Sequence, residues 1–177
     1  MKDRAFLKRV SVLIATMLVG AGTACSSRLP NSKLAQQGAD RIIIVKSDHT
    51  MTLMTHGHVL KVYRVALGRG SAGRKERQGD HKTPEGQYLI DRKNARSRFH
   101  LALHVSYPNA EDAERARKAG VDPGGSIEIH GLPPQFAWLG PLQHEIDWTD
   151  GCIAVSNREI DEVWRLVPVG TPVEIRP

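Results

Sequence analysis

The chain has 177 residues, of which 25% are charged and 40% hydrophobic, and its formal net charge at pH 7 is +6. Residues 1–24 carry four basic residues against Asp3, so the remaining 153 residues keep a net charge of only +3. That length suits one domain with a buried core, and so modest a charge gives little support to nucleic-acid binding.

Residues 1–24 have the pattern of a signal peptide, with a basic start, an apolar run from Val10 to Ala21 and then small residues. The run is too short for a comfortable transmembrane helix. Cys25 follows as in a bacterial lipobox, although Gly22 stands where that motif usually has Leu. We expect export to the periplasm and lipid anchoring of Cys25 at the outer membrane. Cleavage after Ala24 without lipidation is the alternative.

Residues 25–40 are polar and lack a sustained period, so with Cys25 at their start they are predicted to form a flexible tether to a domain at 41–177. Alternation and β-branched residues predict strands within residues 41–47, 50–55, 58–67, 83–90, 100–107, 122–132, 152–155 and 171–175. Helices are predicted at residues 109–120 and 156–167. Residues 68–82 form a long, charged, Gly-rich loop, either functional or a solvated excursion. The fold class is therefore α+β and mainly β.

Cys152 needs an explanation, since exported proteins usually pair their cysteines and the second cysteine, Cys25, is the predicted anchor. A thiol becomes a nucleophile when a nearby base accepts its proton. His130 ends an apolar strand before Gly131, where a side chain is firmly placed, and His144 is the second candidate base. The residues alone leave that choice open.

The residues before Cys152 predict a cleft, because Asp147, Thr149 and Asp150 are all polar. Gly151 has no side chain and leaves room for a substrate carbonyl, and backbone N–H groups of Gly151 and Cys152 are candidates for an oxyanion hole. A small buried structural cysteine is the alternative interpretation.

The order His130-Gly131, then Thr149 to Cys152 as Thr-Asp-Gly-Cys, with Thr-Pro-Glu-Gly upstream at 83–86, resembles the YkuD-type L,D-transpeptidase catalytic domain. The resemblance covers residues 41–175 and is greatest to the exported YafK-like subgroup. It implies β-sandwich-like sheets with two helices.

The resemblance also implies roles for single residues. Cys152 is the expected nucleophile, His130 the general base, and the carbonyl of Gly131 the acceptor for the second ring nitrogen of His130. We expect Thr149, Asp150 and Gly151 to contact the substrate.

Two positions depart from the family pattern, which usually has His at position 150 and Arg or Asn at position 154. Asp150 should oppose formation of a thiolate unless it pairs with a histidine or a substrate amine. Ala154 removes an expected binder of a substrate carboxylate.

The implied function is acyl transfer on peptidoglycan stem peptides through a thioester at the diaminopimelate carbonyl. An alternative ends the same acyl-enzyme with water and releases an outer-membrane lipoprotein from peptidoglycan. A third hypothesis is a peptidoglycan-binding module without turnover, or a metal site of His130, His144 and Cys152. The spacings of those three residues match no compact zinc signature, so neither metal nor other cofactor is expected.

Overall fold

The computed structural model describes residues 38–177, so the predicted signal peptide, the Cys25 anchor and most of the tether lie outside the described residues. The last tether residues are already packed on the domain. Ala39 is 2% exposed and its N–H donates to the carbonyl of Leu166 at 2.6 Å, while the N–H of Asp40 donates to Met54 at 2.9 Å. These backbone bonds place the start of the domain about two residues before the predicted boundary at Arg41.

Strands make up most of the regular structure, which confirms the prediction of a mainly β, α+β domain. The strands are β1 (Arg41–Val45), β2 (Thr50–Thr55), β3 (His58–Arg64), β4 (Gly86–Ser97), β5 (His100–Val105), β6 (Glu128–His130), β7 (Ile153–Ala154) and β8 (Pro172–Arg176). The α-helices of the described residues are α1 (Ala110–Ala119) and α2 (Asn157–Leu166). A 3-10 helical segment, Pro134–Glu145, lies between β6 and β7. No helix in this part of the chain is long and apolar enough to cross a membrane.

The strands pair in the order β3-β2-β1-β8-β4-β5-β6-β7. Strand β4 pairs with β8 near its start and with β5 further along, so it joins two halves of the sheet. Past β3, Ala66 and Ala154 exchange backbone hydrogen bonds of 3.0 and 2.8 Å, which connects the two ends of the strand order. Strand β7 therefore has hydrogen-bond partners on both sides, β6 and Ala66, and is not an open edge of the sheet.

The core lies between the sheet and α2, and it follows the period of each element. Alternate residues of β1, Ile42 and Ile44, are fully buried, and the buried face of α2 presents Ile160 and Val163. Each such side chain contributes about 1.5–3 kcal/mol on burial. A capping box begins α2, with the Ser156 side chain accepting from the Glu159 N–H.

Strand β4 is longer than its sequence predicts, because it continues from Ile90 to Ser97 through polar residues. Pairing with β5 stabilises this extension, and most of its side chains are exposed, so it has no apolar alternation to detect. The register shifts between Asn94 and Ser97, which marks a bulge. This end of β4 borders the site described next.

Candidate active site

Cys152 and His130 lie on neighbouring parallel strand ends. Ile129 pairs with Ile153 and His130 with Ala154, so Cys152 comes opposite Glu128. Because side chains alternate across a strand, Cys152 and His130 face the same side. Both line one cleft of about 570 Å³.

His130 is 2% exposed, and its Nδ1 lies 2.7 Å from the carbonyl oxygen of Gly131. A carbonyl only accepts, so the proton is on Nδ1 and Nε2 is left as a proton acceptor. The ring stacks on Phe99 at 4.4 Å between centroids and meets the edge of Trp148 at 5.8 Å. Burial lowers the pKa of His130 to about 4, against the opposing hydrogen bond to Gly131. The ring is therefore neutral at neutral pH.

Gly131 has to be glycine in this arrangement. A Cβ at this position would lie 2.6 Å from Oδ1 of Asn157 and 3.0 Å from the carbonyl oxygen of Phe99. The same Asn157 oxygen accepts the N–H of Leu132 at 2.6 Å. The first turn of α2 thus fixes the His-Gly pair, and with it the direction of the His130 ring.

Cys152 is partly accessible from the cleft, and its Sγ donates to the carbonyl of Ser126 at 3.6 Å. Burial raises the pKa of Cys152 to about 11, and the charges of Glu128 and Asp150 act in the same direction. A backbone hydrogen bond from Glu128 opposes them. At neutral pH the thiol of Cys152 and the imidazole of His130 are therefore both neutral.

The turn before Cys152 is held by Thr149, which is 3% exposed. Its Oγ1 donates to the carbonyl of Cys152 at 2.7 Å and accepts the N–H of Gly151 at 3.1 Å. Gly151 has a φ of +123°, and a Cβ there would lie 2.7 Å from the carbonyl oxygen of Lys82. Its missing side chain thus makes room for the carbonyl of a neighbouring loop.

These contacts change the expected oxyanion hole. The N–H of Gly151 is used inside the turn, as is the hydroxyl of Thr149. Within residues 38–177, the N–H of Cys152 has no acceptor, and neither does the N–H of Asp150, so both donors of this turn remain open to a further acceptor.

Asp150 lines the cleft and has two cationic or titratable neighbours. Its Oδ1 lies 2.9 Å from Nη2 of Arg69 and 2.8 Å from Nδ1 of His81. The sequence indicated that Asp150 would oppose a thiolate unless it paired with a histidine, and the structure supplies this pairing. Because Asp150 is 71% exposed at its side chain, solvent screens the contacts.

Both residues that contact Asp150 belong to the loop at 68–82, which is not a solvated excursion. Lys75 and Asp80 form a 2.8 Å ion pair with side chains only 4% and 8% exposed. Asp80 also accepts the backbone N–H groups of Glu76, Arg77 and Lys82. Burial alone would raise the pKa of Asp80, but these hydrogen bonds hold it well below its ordinary range. The loop therefore has a polar interior of its own.

Two residues considered from the sequence lie away from the thiol. His144 does not line the cleft; its Nε2 is 3.3 Å from Oε1 of its neighbour Glu145. Asp147 accepts the N–H of Leu67 at 2.7 Å and lies 3.0 Å from Nε2 of His49. Of the two candidate bases, His130 lines the cleft together with Cys152, and His144 does not. Among residues 38–177, no group of three or more potential metal ligands is close enough to hold an ion.

Several residues of the cleft were missed by the sequence analysis. Phe99 and Trp148 contact the His130 ring, and Arg96 and Arg98 line the cleft from the end of β4 and the turn after it. Trp148 directly precedes Thr149 in the chain. Phe99, Arg96 and Arg98 are distant in sequence from both motifs, and the pairing of β4 with β5 brings them in. An aromatic residue and two arginines within a polar stretch gave no local signal.

Comparison with known proteins agrees with this geometry. Residues 39–175 match the L,D-transpeptidase catalytic domain family (YkuD). The chain is 29% identical to YafK, a candidate L,D-transpeptidase of Escherichia coli strain K12, over 91% of this chain and 64% of that protein.

Solved structures share the fold. The helical cell shape determining protein Pgp2 of Campylobacter jejuni has a TM-score of 0.60 and 25% identity, over 78% of this chain and 48% of that one. L,D-transpeptidase 3 of Mycobacterium tuberculosis, in complex with a faropenem-derived adduct, has a TM-score of 0.55 and 16% identity, over 79% and 61%. The chain spans less than two thirds of each of these relatives. With its family match covering most of its length, the chain belongs to the L,D-transpeptidase catalytic domain family.

Proposed function

We propose that this protein catalyses cysteine-dependent acyl transfer on peptidoglycan stem peptides. The observation that carries the proposal is the placement of Cys152 and a neutral His130 on the same side of one cleft. The base has its free nitrogen available, because the other ring nitrogen is engaged by Gly131. Membership of the L,D-transpeptidase family supports this reaction class.

In the first half-reaction, Sγ of Cys152 attacks the diaminopimelate carbonyl of a stem tetrapeptide while Nε2 of His130 takes the thiol proton. The Cys152 N–H donates to the oxygen that becomes negative. Collapse of the tetrahedral species breaks the bond to the terminal D-alanine, whose amine takes the proton from His130. A thioester on Cys152 remains. Because the resting pair is neutral, proton transfer and attack occur together rather than from a stored thiolate.

In the second half-reaction, an acceptor amine attacks the thioester carbonyl and His130 takes its proton. Cys152 leaves as the thiol when His130 returns that proton to sulfur, and a new amide bond is complete. In the hydrolase alternative, the group expelled in the first half-reaction is the lipoprotein amine attached to the diaminopimelate carbonyl, in place of D-alanine, and this amine takes the proton from His130. Water then attacks the thioester, His130 takes its proton and returns it to the sulfur of Cys152, and the stem peptide leaves as a carboxylic acid. The two outcomes differ in the group expelled and in the acceptor, and they share the cleft, Cys152 and His130.

The proposed setting is the periplasm, with Cys25 carrying a lipid that anchors the protein to the outer membrane. The signal-peptide pattern of residues 1–24 and the small residues before Cys25 support it. Labelling cells with a fatty-acid probe should mark the wild-type protein and not Cys25→Ser. Equal labelling of the two proteins would contradict the anchor. The similarity to Pgp2, named as a cell shape determinant, supports a role in cell shape.

The reaction is tested by incubating the purified protein with disaccharide-tetrapeptide and with lipoprotein-linked muropeptide, followed by mass spectrometry. A cross-linked dimer with loss of D-alanine establishes transpeptidation. Tripeptide released from the lipoprotein-linked substrate, without dimer, establishes hydrolysis. Cys152→Ala should abolish both reactions, whereas full activity of that variant would refute the proposal.

A further inference from the structure

The end of β4 and the turn that follows it bring positive charge into the cleft. Arg96 lies in the last part of β4 and Arg98 in the turn after it, and both line the cleft that contains Cys152. The bulge between Asn94 and Ser97 interrupts the strand at this point, and the side chain of Asn94 accepts the N–H of Arg96 at 2.9 Å. Two arginines close in sequence therefore belong to the lining of one cleft.

These two arginines have no anionic partner. Within residues 38–177, no carboxylate lies within 4.0 Å of either side chain, and both residues are exposed. Arg69 and Lys75, the cations on the loop side of Cys152, are already paired with Asp150 and Asp80. The available positive charge of the cleft is thus concentrated at the end of β4.

Arg98 also lies close to the reacting groups. Its guanidinium sits 4.8 Å from the ring centroid of Phe99, and the Phe99 ring stacks on His130. Besides burial, the positive charge of Arg98 lowers the pKa of His130. An anion bound at Arg98 would therefore lie in the same cleft as Cys152, beside the Phe99 ring that stacks on His130.

Guanidinium groups bind carboxylates through paired, charge-assisted hydrogen bonds. Ala154 of β7, where the family pattern usually has Arg or Asn, is fully buried and supplies no positive charge. We propose that Arg96 and Arg98 form a carboxylate subsite that binds the free C-terminal carboxylate of the residue expelled from the substrate. This inference rests on the proposed function and specifies it further: the scissile bond is selected as the last peptide bond of the stem.

The test measures binding in the Cys152→Ala background, so that no turnover is needed. The probes are the stem tetrapeptide with a free terminal carboxylate and the same peptide with a terminal carboxamide, titrated by calorimetry. We expect the acid to bind about 10- to 100-fold more tightly than the amide, as for hydrogen bonds to a charged group. Adding Arg96→Gln and Arg98→Gln should reduce that ratio to about twofold or less.

Arg92→Gln is the matched control, because Arg92 is exposed on the same strand but outside the cleft. It should leave the ratio unchanged. Each single arginine variant should reduce the ratio in part, which guards against a double variant that fails to fold. Equal binding of acid and amide, or an unchanged ratio in the double variant, would overturn the subsite. The subsite would also be overturned if binding weakened only when the side-chain carboxylate of diaminopimelate was amidated.

Release of D-alanine by the wild-type protein, measured in parallel, separates the two proposals. Release that does not depend on Arg96 and Arg98 refutes the subsite and leaves acyl transfer standing. Binding that depends on them without any Cys152-dependent release refutes acyl transfer and leaves a carboxylate-binding cleft.

Discussion

Two segments border the turn that carries Cys152, and they are built in opposite ways. The loop at 68–82 buries Lys75 and Asp80 and contacts Asp150 through Arg69 and His81. The 3-10 segment at Pro134–Glu145 instead exposes apolar side chains. Their exposed fractions are 49% for Phe136, 76% for Trp138 and 65% for Leu142.

The difference shows which of the two segments holds the turn before Cys152 in position. Within the 3-10 segment only Gln143 is buried; its Nε2 donates to the carbonyl of Ala154 at 3.1 Å, and its Oε1 accepts from Nε1 of Trp148 at 3.2 Å. The loop, by contrast, packs backbone against backbone, with the Lys82 carbonyl in the space left by Gly151. We infer that the loop determines the position of the Cys152 turn and that the 3-10 segment is attached at one point.

The largest effect is expected when the ion pair inside the loop is broken. Asp80→Asn leaves Lys75 as a buried, unpaired charge, and removing one partner of a buried pair costs about 3–5 kcal/mol. Denaturant unfolding should show that loss. Asp48→Asn, at an exposed position, is the control and should change stability by less than about 0.5 kcal/mol. A loss below about 1 kcal/mol for Asp80→Asn would refute the supporting role of the loop.

Acid should weaken the same support. The pKa of Asp80 is lower in the folded protein than its ordinary value. The Asp80 carboxylate therefore contributes fully to the free energy of unfolding above about pH 4, and this contribution is lost as the pH falls below that value. The stability gap between wild type and Asp80→Asn should therefore be smaller at pH 3 than at pH 7. A gap of constant size, measured by urea unfolding at both pH values, would contradict this linkage.

A smaller effect is expected at the single attachment of the 3-10 segment. Gln143→Leu removes two hydrogen bonds, but the carbonyl of Ala154 still accepts the N–H of Ala66. The expected loss of stability is about 1–2 kcal/mol, with Gln135→Leu on the exposed part of the segment as the control. Equal losses for the two variants would show that Gln143 is not the attachment point.

The smallest effect is expected at Trp138, whose side chain extends into solvent. Trp138→Ser should change the midpoint of thermal unfolding little, because its free energy of unfolding should change by less than about 0.5 kcal/mol. A loss as large as that of Asp80→Asn would reverse the comparison and make the 3-10 segment the main support.

The sequence predicted those parts of the site that are local in the chain. His130-Gly131 and Thr149 to Cys152 are short motifs, and the capping box at Ser156 places the helix behind them. The sequence did not indicate that the missing side chain of Gly151 also makes room for the carbonyl of Lys82, which lies about 70 residues earlier in the chain. Such a contact depends on tertiary packing and leaves no pattern near the cysteine.

The cleft residues that the sequence analysis missed also depend on tertiary packing. Arg96 and Arg98 enter the cleft because β5 pairs with a polar extension of β4, which has no apolar alternation. Lys75 and Asp80 looked like solvated loop charges, since charge in a Gly-rich stretch is usually exposed. Only the backbone N–H groups that converge on Asp80 show that they are internal.

The central claim is that Cys152 becomes acylated, and intact-protein mass spectrometry after acid quenching tests it most directly. Incubated with stem tetrapeptide, the wild type and the Cys25→Ala variant should both gain the mass of the acyl group without D-alanine, on the peptide that contains Cys152. The Cys152→Ala variant should gain none and should release no D-alanine. An adduct on another residue, or release of D-alanine by Cys152→Ala, would contradict the account.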